Sequence, residues 1–237
     1  MSLPDVFVPA CLTPGTTPPL VVRARSTVGD ERLARSRLGG PDGDTLAPDH
    51  LQAPPAGHGG DERFLMVCTN GRHDACCANE GRPLVRAMRA RGPAPVWECS
   101  HIGGDRFAAN VVLLPHGCYF GRVGPDDLDA FLTELDEGRL PLAHYRGRSA
   151  LPPPAQAVEI AVRTETGERR IDALTGWRRE RLGDDRWAVR VDLDGRRYRA
   201  EVTAARDLEP RLLTCHADEP QVPRRFLVGA VDELPDA

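Results

Sequence analysis

The sequence contains no lysine, so all 31 of its basic residues are arginine. Together with 22 prolines and 23 glycines in 237 residues, this bias points to a bacterial genome rich in G and C rather than to a binding role. A net charge of -4 lacks the excess of basic residues that a nucleic-acid surface uses, and no nucleic-acid partner is expected. No apolar run approaches the roughly 20 residues that span a bilayer. Residues 1–10 show no basic stretch followed by an apolar one, so neither a membrane partner nor a secretory leader is expected. Cysteine is scarce: seven residues, an odd number with irregular spacing, which is not the pattern of a secreted disulfide framework. The expected setting is a reducing cytoplasm, where clustered cysteines signal metal binding or redox chemistry. A Cys-x-x-Cys pair and an internal repeat are both absent.

What is present is concentrated in the middle of the chain. Residues 1–60 are weakly patterned, with "DVFVPAC" and "PLVVRARSTV" as candidate strands among Pro- and Gly-rich loops. From Phe64 the order improves. "RFLMVC" has the composition of a short buried strand ending at Cys68. "PLVRAMRAR" spaces Leu84, Val85 and Met88 for one helix face, with Pro83 expected at the first helical position. "APVWECS" predicts the next strand. "NVVLLPHGCYFGRV" predicts a hairpin turning at Pro115–Gly117, and "PDDLDAFLTELDEG" a helix stopped by Gly138. Residues 64–138 therefore predict a β-α-β-β-β-α layer. Further on, prolines break the chain before a helix over Ala157–Arg163, and alternation around Asp194-Gly195 predicts a hairpin. "PRLLTC" and "RRFLVGAV" suggest two more strands. The expected organisation is a weakly patterned segment over 1–60, an α/β domain over 61–150, and a helix with a small β-rich region over 151–237.

The chemistry-bearing residues cluster at the ends of the first two strands. "VCTNGRHDACCANEGRP" holds Cys68, Cys76 and Cys77 within ten positions. In an extended stretch neighbouring side chains point oppositely, so one of the adjacent pair is expected to be a ligand and the other packing. "ECSHIGGDRF" places His101 and Asp105 four positions apart across two glycines, which let a backbone pass close to a bulky group. Two cysteines, a histidine and an aspartate could hold zinc. An iron–sulfur cluster also takes thiolates and accepts histidine, and residue types alone do not choose between the two. Cys118, Cys11 and Cys215 are expected to be packing, as are Trp97, Phe107 and Tyr119. His73 is a candidate hydrogen-bond donor near the site, and Arg106 either meets an acidic partner or forms a surface ion pair.

"VCTNGRHDACCANEGRPLV", "VWECSHIGGDRFAANVVLLPHGCYFGRV" and "HYRGRSALPPPAQAVEIAV" together resemble the sucrase/ferredoxin-like family, a branch of the thioredoxin-like [2Fe-2S] ferredoxins. The resemblance implies an α/β thioredoxin-like ferredoxin core with a β-rich C-terminal appendage, and a [2Fe-2S] cluster held by two loops. The first loop would supply Cys68 and Cys77. In the second, His101 matches the first histidine of a His-x-Gly-Gly-His motif, and Asp105 stands where relatives have the second. The resemblance implies Asp105 as the expected fourth ligand, with Cys76 or Cys99 as alternatives. Nothing resembles the paired carboxylates of a glycosidase. The implied role is a one-electron carrier or redox sensor working with a redox partner protein, rather than an enzyme with its own substrate. Two rivals are a thioredoxin-like thiol-redox protein, weakened by the missing Cys-x-x-Cys, and a cluster-free interaction module, to which the Asp105 departure lends support.

The departure has an electrostatic consequence. With two thiolates, one imidazole and one carboxylate, an oxidised cluster site carries a formal charge of about -1, against about 0 for two Cys and two His and about -2 for four Cys. A more negative site resists an incoming electron. Asp105→His should therefore raise the reduction potential, measured by redox titration. An unchanged or lowered potential would count against Asp105 as a ligand.

Overall fold

The computed structural model describes residues 63–71, 75–92, 96–99, 102, 104–206, 209–213 and 217–235. The N-terminal strand candidates, Cys11, His58, His73, His101 and Cys215 lie outside these, as does the side chain of Asp105.

The apolar run after Arg63 forms strand β1 (Phe64–Cys68). It has few polar positions because both its faces are covered. Leu65 and Val67 enter one hydrophobic cluster, and Met66 and Cys68 another. Helix α1 (Ala75–Ala90) leads to β2 (Val96–Cys99), which runs parallel to β1. A short 3-10 turn over Asp105–Phe107 precedes β3 (Val111–Leu114), which pairs antiparallel with the other edge of β1. The expected turn at Pro115–Gly117 leads into β4 (Cys118–Phe120), paired antiparallel with β3. Helix α2 (Leu128–Asp136) follows. Residues 64–138 thus fold in the predicted order, β-α-β-β-β-α.

A fifth strand that the sequence did not announce, β5 (Tyr145–Arg148), completes a sheet of order β2-β1-β3-β4-β5. Both α1 and α2 lie on one face, where Leu84, Val85, Met88, Phe131 and Leu135 pack on Leu65, Val67, Val111, Leu113 and Phe120. Each such side chain, fully buried, contributes roughly 1.5–3 kcal/mol.

Helix α1 corrects one expectation. It starts at Ala75, so Pro83 is interior rather than first. An interior proline forgoes one backbone hydrogen bond and costs about 3 kcal/mol. Burial of Leu84, Val85 and Met88, all at most 1% exposed, offsets that cost. Cys76 and Cys77 are consequently helical neighbours, not residues of an extended loop.

Helix α3 (Pro153–Thr166) is longer than the predicted Ala157–Arg163. Its prolines do not break it. Pro152 is the N-cap, and Pro153 and Pro154 fill the first turn, where no intrahelical N–H partner is needed. Every residue from Pro154 to Arg163 is buried. This all-round burial has a simple origin: α3 packs against β5 on one side. On the other lies a four-stranded antiparallel sheet made of β6 (Leu174–Gly183), β7 (Arg186–Leu193), β8 (Arg196–Arg206) and β9 (Arg224–Leu234). The hairpin turn at Asp194-Gly195, both with positive φ, is where alternation predicted it. The "PRLLTC" strand is corrected: among its described residues only Arg211 pairs, in an isolated bridge with Gln221.

Between β5 and α3 lies a buried charged network. The Glu159 carboxylate, fully inaccessible, accepts from Tyr145 Oη at 2.9 Å, Arg148 Nε at 3.3 Å and Arg163 Nε at 3.0 Å. Burial, reinforced by Glu159, holds the Tyr145 hydroxyl well above its usual range, so it stays protonated and donates. The guanidinium of Arg163 also donates to the carbonyl oxygens of Glu168 and Arg170. That of Arg148 donates to the carbonyl of Ile171. Removing one partner of such a network strands a buried charge, typically at about 3–5 kcal/mol. The network explains why a strand spelled Tyr-Arg-Gly-Arg can be largely buried.

Candidate functional site

The ends of β1 and β2 define the site. Cys68 and Cys99 are register partners at the C-terminal ends of these two parallel strands. Their junction is stitched by a bond from Thr69 N to Cys99 O at 3.3 Å, and by Thr69 Oγ1 donating to Glu98 at 3.0 Å. Alternation puts Cys68 and Cys99 on the face opposite α1 and α2, with Met66 and Val112. Cys77 joins the same buried cluster from the start of α1. Cys68, Cys77 and Cys99 are not in disulfides, and the residues are 1%, 1% and 4% exposed. Cys76, by contrast, is disulfide-bonded. Of the adjacent pair, Cys77 is the one outside a disulfide.

Gly81 lets the start of α1 close on the end of β1. It lies one turn beyond Cys77 on the same helix face. A Cβ there would overlap the backbone carbonyl oxygen of Cys68. Glycine therefore lets α1 approach the end of β1 more closely than any other residue would.

Asn110 ties the second loop to the first. Its backbone carbonyl accepts from Cys68 N at 3.1 Å, and its buried side-chain amide donates to Gly104 O at 2.9 Å. Gly104 O also accepts from Phe107 N at 2.8 Å, closing the turn that begins at Asp105. Sequence reasoning passed over Asn110. The available signal was an amide immediately before the four apolar residues of β3.

Electrostatically the two ends of the site differ. Burial first, then the neighbouring Cys68 and Glu98, pushes the Cys99 thiol far up, so it remains neutral unless a cation binds it. Beyond the second loop the charge is positive. Arg106, Arg122 and Arg146 place their guanidinium carbons 4.7, 5.1 and 3.4 Å from the centroid of the buried Phe107 ring. Cys118 belongs to the main core and is raised to about 11 by burial, a packing residue as expected. Trp97 and Tyr119 are partly buried on the face that carries the cysteines.

The structure thus brings Cys68 and Cys77 together and adds Cys99 to them. Asp105 opens the 3-10 turn, and Ile102, adjacent to His101, belongs to the cysteine cluster. Among the described residues, no three His, Cys, Asp or Glu side chains meet closely enough to hold a metal. An open cleft of about 440 Å³ borders the first loop, lined by Thr69, Asn70, Gly71, Ala78, Asn79 and Arg82. Also among the described residues, no helix is long and apolar enough to cross a membrane.

Comparison with known proteins identifies the lineage. The chain belongs to the sucrase/ferredoxin-like family, whose sequence profile matches residues 12–147. No curated protein matches. Solved structures with a detectable likeness include the thioredoxin-like [2Fe-2S] ferredoxin of Aquifex aeolicus. It is 18% identical, with a TM-score of 0.35, over 40% of this chain and 97% of the ferredoxin. A cysteine-to-serine variant of the same ferredoxin matches at 18% identity and a TM-score of 0.33, over 37% of this chain and all of its own.

Gly81 gives the site a direct test. Gly81→Ala gains helix propensity of about 0.8–1 kcal/mol, but forces a methyl into backbone that cannot swing aside, at about 1–3 kcal/mol or more. The overlap should win. Thermal unfolding should show a lower Tm, and iron retained per chain should fall with it. A variant as stable and as iron-rich as the parent would refute the close approach.

Proposed function

We propose that this chain binds a [2Fe-2S] cluster through Cys68 at the end of β1, Cys77 at the start of α1, and His101 and Asp105 of the loop after β2, and that it works as a one-electron carrier or redox sensor. The observation that carries this reading is the placing of two buried cysteines, neither in a disulfide, in one cluster at a strand end and a helix start, where Gly81 lets the two backbones approach closely. The donor set fits the group. Thiolates and imidazole are established ligands of such clusters, and the cysteines are buried in one cluster with Met66, Ile102 and Val112. The order β2-β1-β3-β4 with two helices on one face is consistent with a thioredoxin-like core.

When bound, the cluster supplies a single site for uptake and release of one electron. The chain's own residues do the rest. Cys68 and Cys77 bring negative charge at the covered end, while His101 and Asp105 bring a proton-bearing ring and a carboxylate on the other loop. Asn110 fixes the spacing between the loops. Cys99, beside Cys68 in register, is the rival for the fourth position. The electron partner is a separate redox protein, and the setting a bacterial cytoplasm. A second reading, thiol–disulfide chemistry, draws on the disulfide at Cys76 next to Cys77, which is in none.

Iron and acid-labile sulfide analysis of anaerobically purified protein tests the proposal. About two of each per chain are expected, with visible bands above about 400 nm. Cys68→Ser should lose most of both, whereas Cys118→Ser, altered in the core instead, should keep them. Colourless parent protein with reactive thiols would favour the second reading, and full loading of Cys68→Ser would refute the ligand assignment.

A further inference from the structure

We propose that two copies of this chain join edge to edge, by antiparallel pairing of their β9 strands about a two-fold axis. β9 is the last strand of the sheet β6-β7-β8-β9, and among the described residues nothing pairs with its outer edge. Such an edge offers a row of backbone donors and acceptors to any extended chain. The two edges of this sheet differ. β6 carries Arg178, Arg179, Glu180 and Arg181 in succession, and charge of this kind discourages pairing. β9 instead runs from Phe226 to Val231 without a charge. Leu227 is 49% exposed, and Phe226, Val228 and Val231 are only partly buried where they pack on the core of this sheet.

Charge selects the occupant. The uncharged run is flanked by Arg224 and Arg225 on one side and by Asp232 and Glu233 on the other. A second β9 laid parallel and in register would set like charges side by side. Laid antiparallel, it sets Arg224 opposite Glu233 of the second copy and Arg225 opposite Asp232, at both ends of the contact. Opposite charges directly across two strands stabilise the pairing, and self-complementarity is what a two-fold interface requires. Within one chain Arg224 meets Asp185 and Glu233 meets Arg196. All four of these side chains are more than half exposed, and a guanidinium has five N–H donors to share.

The shape of β9 makes this register consistent. Ala200 pairs with Val231 and Val202 with Val228, so Gly229 and Ala230 both stand opposite Glu201. The extra residue interrupts alternation and keeps Phe226, Val228 and Val231 together on the core face. In the charge-matched register Phe226 falls opposite Val231 of the second copy, on that same face. Without the extra residue the two would lie on opposite faces. The bulge sits at the centre of the contact, where glycine lets another backbone approach closely.

Sedimentation equilibrium of the full chain tests the pairing. A dimer of the 25.9 kDa chain is expected, populated by roughly 100 μM even if the interface is of the small, weak class. It should weaken as salt is raised, because exposed charges at both ends are screened. Arg224→Glu combined with Arg225→Glu leaves only acidic flanks, and Asp232→Arg combined with Glu233→Arg only basic ones. Each doubly substituted chain should dimerise at least about tenfold more weakly, since like charges then face each other. Mixed in equal amounts, the two should pair with each other and restore the dimer, which a loss of folding would not allow. A parent that stays monomeric, because another segment or another protein covers the edge, would overturn the proposal. So would a species larger than a dimer, a dimer that salt strengthens or that ignores the substitutions, or a mixture that fails to associate. Pairing needs no iron, so the outcome is separate from that of the cluster proposal.

Discussion

A carbonyl oxygen and a missing side chain set the geometry on which the site depends. Where β1 ends, the carbonyl of Cys68 occupies the space a Cβ of residue 81 would need. Helix α1 can therefore close down on the strand end. The buried thiol one turn earlier, Cys77, is carried into the same cluster as Cys68 and Cys99. Two cysteines nine positions apart in sequence thus become neighbours through the approach of two backbones rather than through a compact ligand loop. Asn110 extends the constraint to the second loop, since one residue accepts from Cys68 and donates to Gly104. A strand end, a helix start and a turn are positioned as one unit.

A second, independent constraint holds the rest of the chain to that unit. Helix α3 is buried on all sides because it serves both sheets, and its only acidic residue in the buried stretch, Glu159, is matched by Arg148 and Arg163 and by the Tyr145 hydroxyl. The energetics of such a network favour completeness over any single pair, because each partner left alone is a desolvated charge. The network pins β5, and β5 carries Arg146, whose side chain reaches the Phe107 ring beside the second loop.

How much of this was legible follows from what kind of signal each element carries. The β-α-β-β-β-α order was readable because its strands are short apolar runs and α2 spaces Leu128, Phe131 and Leu135 for one face. The start of α1 was not, because Pro83 is a strong local signal that tertiary burial overrides. Strand β5 was hidden by its composition: Arg148 counts as polar until Glu159, eleven residues on, is known to meet it. Of the proposed site, clustering pointed to Cys68 and one of the adjacent pair, and the family resemblance to Cys77; both are buried and outside disulfides. Gly81 and Asn110 could not, since a glycine in a helix and an amide before a strand have many ordinary explanations. The arginine cluster was invisible for the same reason as β5: its members lie up to forty positions apart and meet only across the fold.

In the proposed site, thiolates from the end of β1 and the start of α1 and a histidine from the loop after β2 bind the same pair of irons. Pulsed electron paramagnetic resonance of the reduced protein reads this directly, through the coupling of the unpaired electron to ligand nitrogen. A strong nitrogen coupling of the size a directly bound imidazole gives is expected, abolished in His101→Cys while the iron is retained. A reduced cluster showing no such coupling, or one whose coupling survives loss of His101, would contradict it.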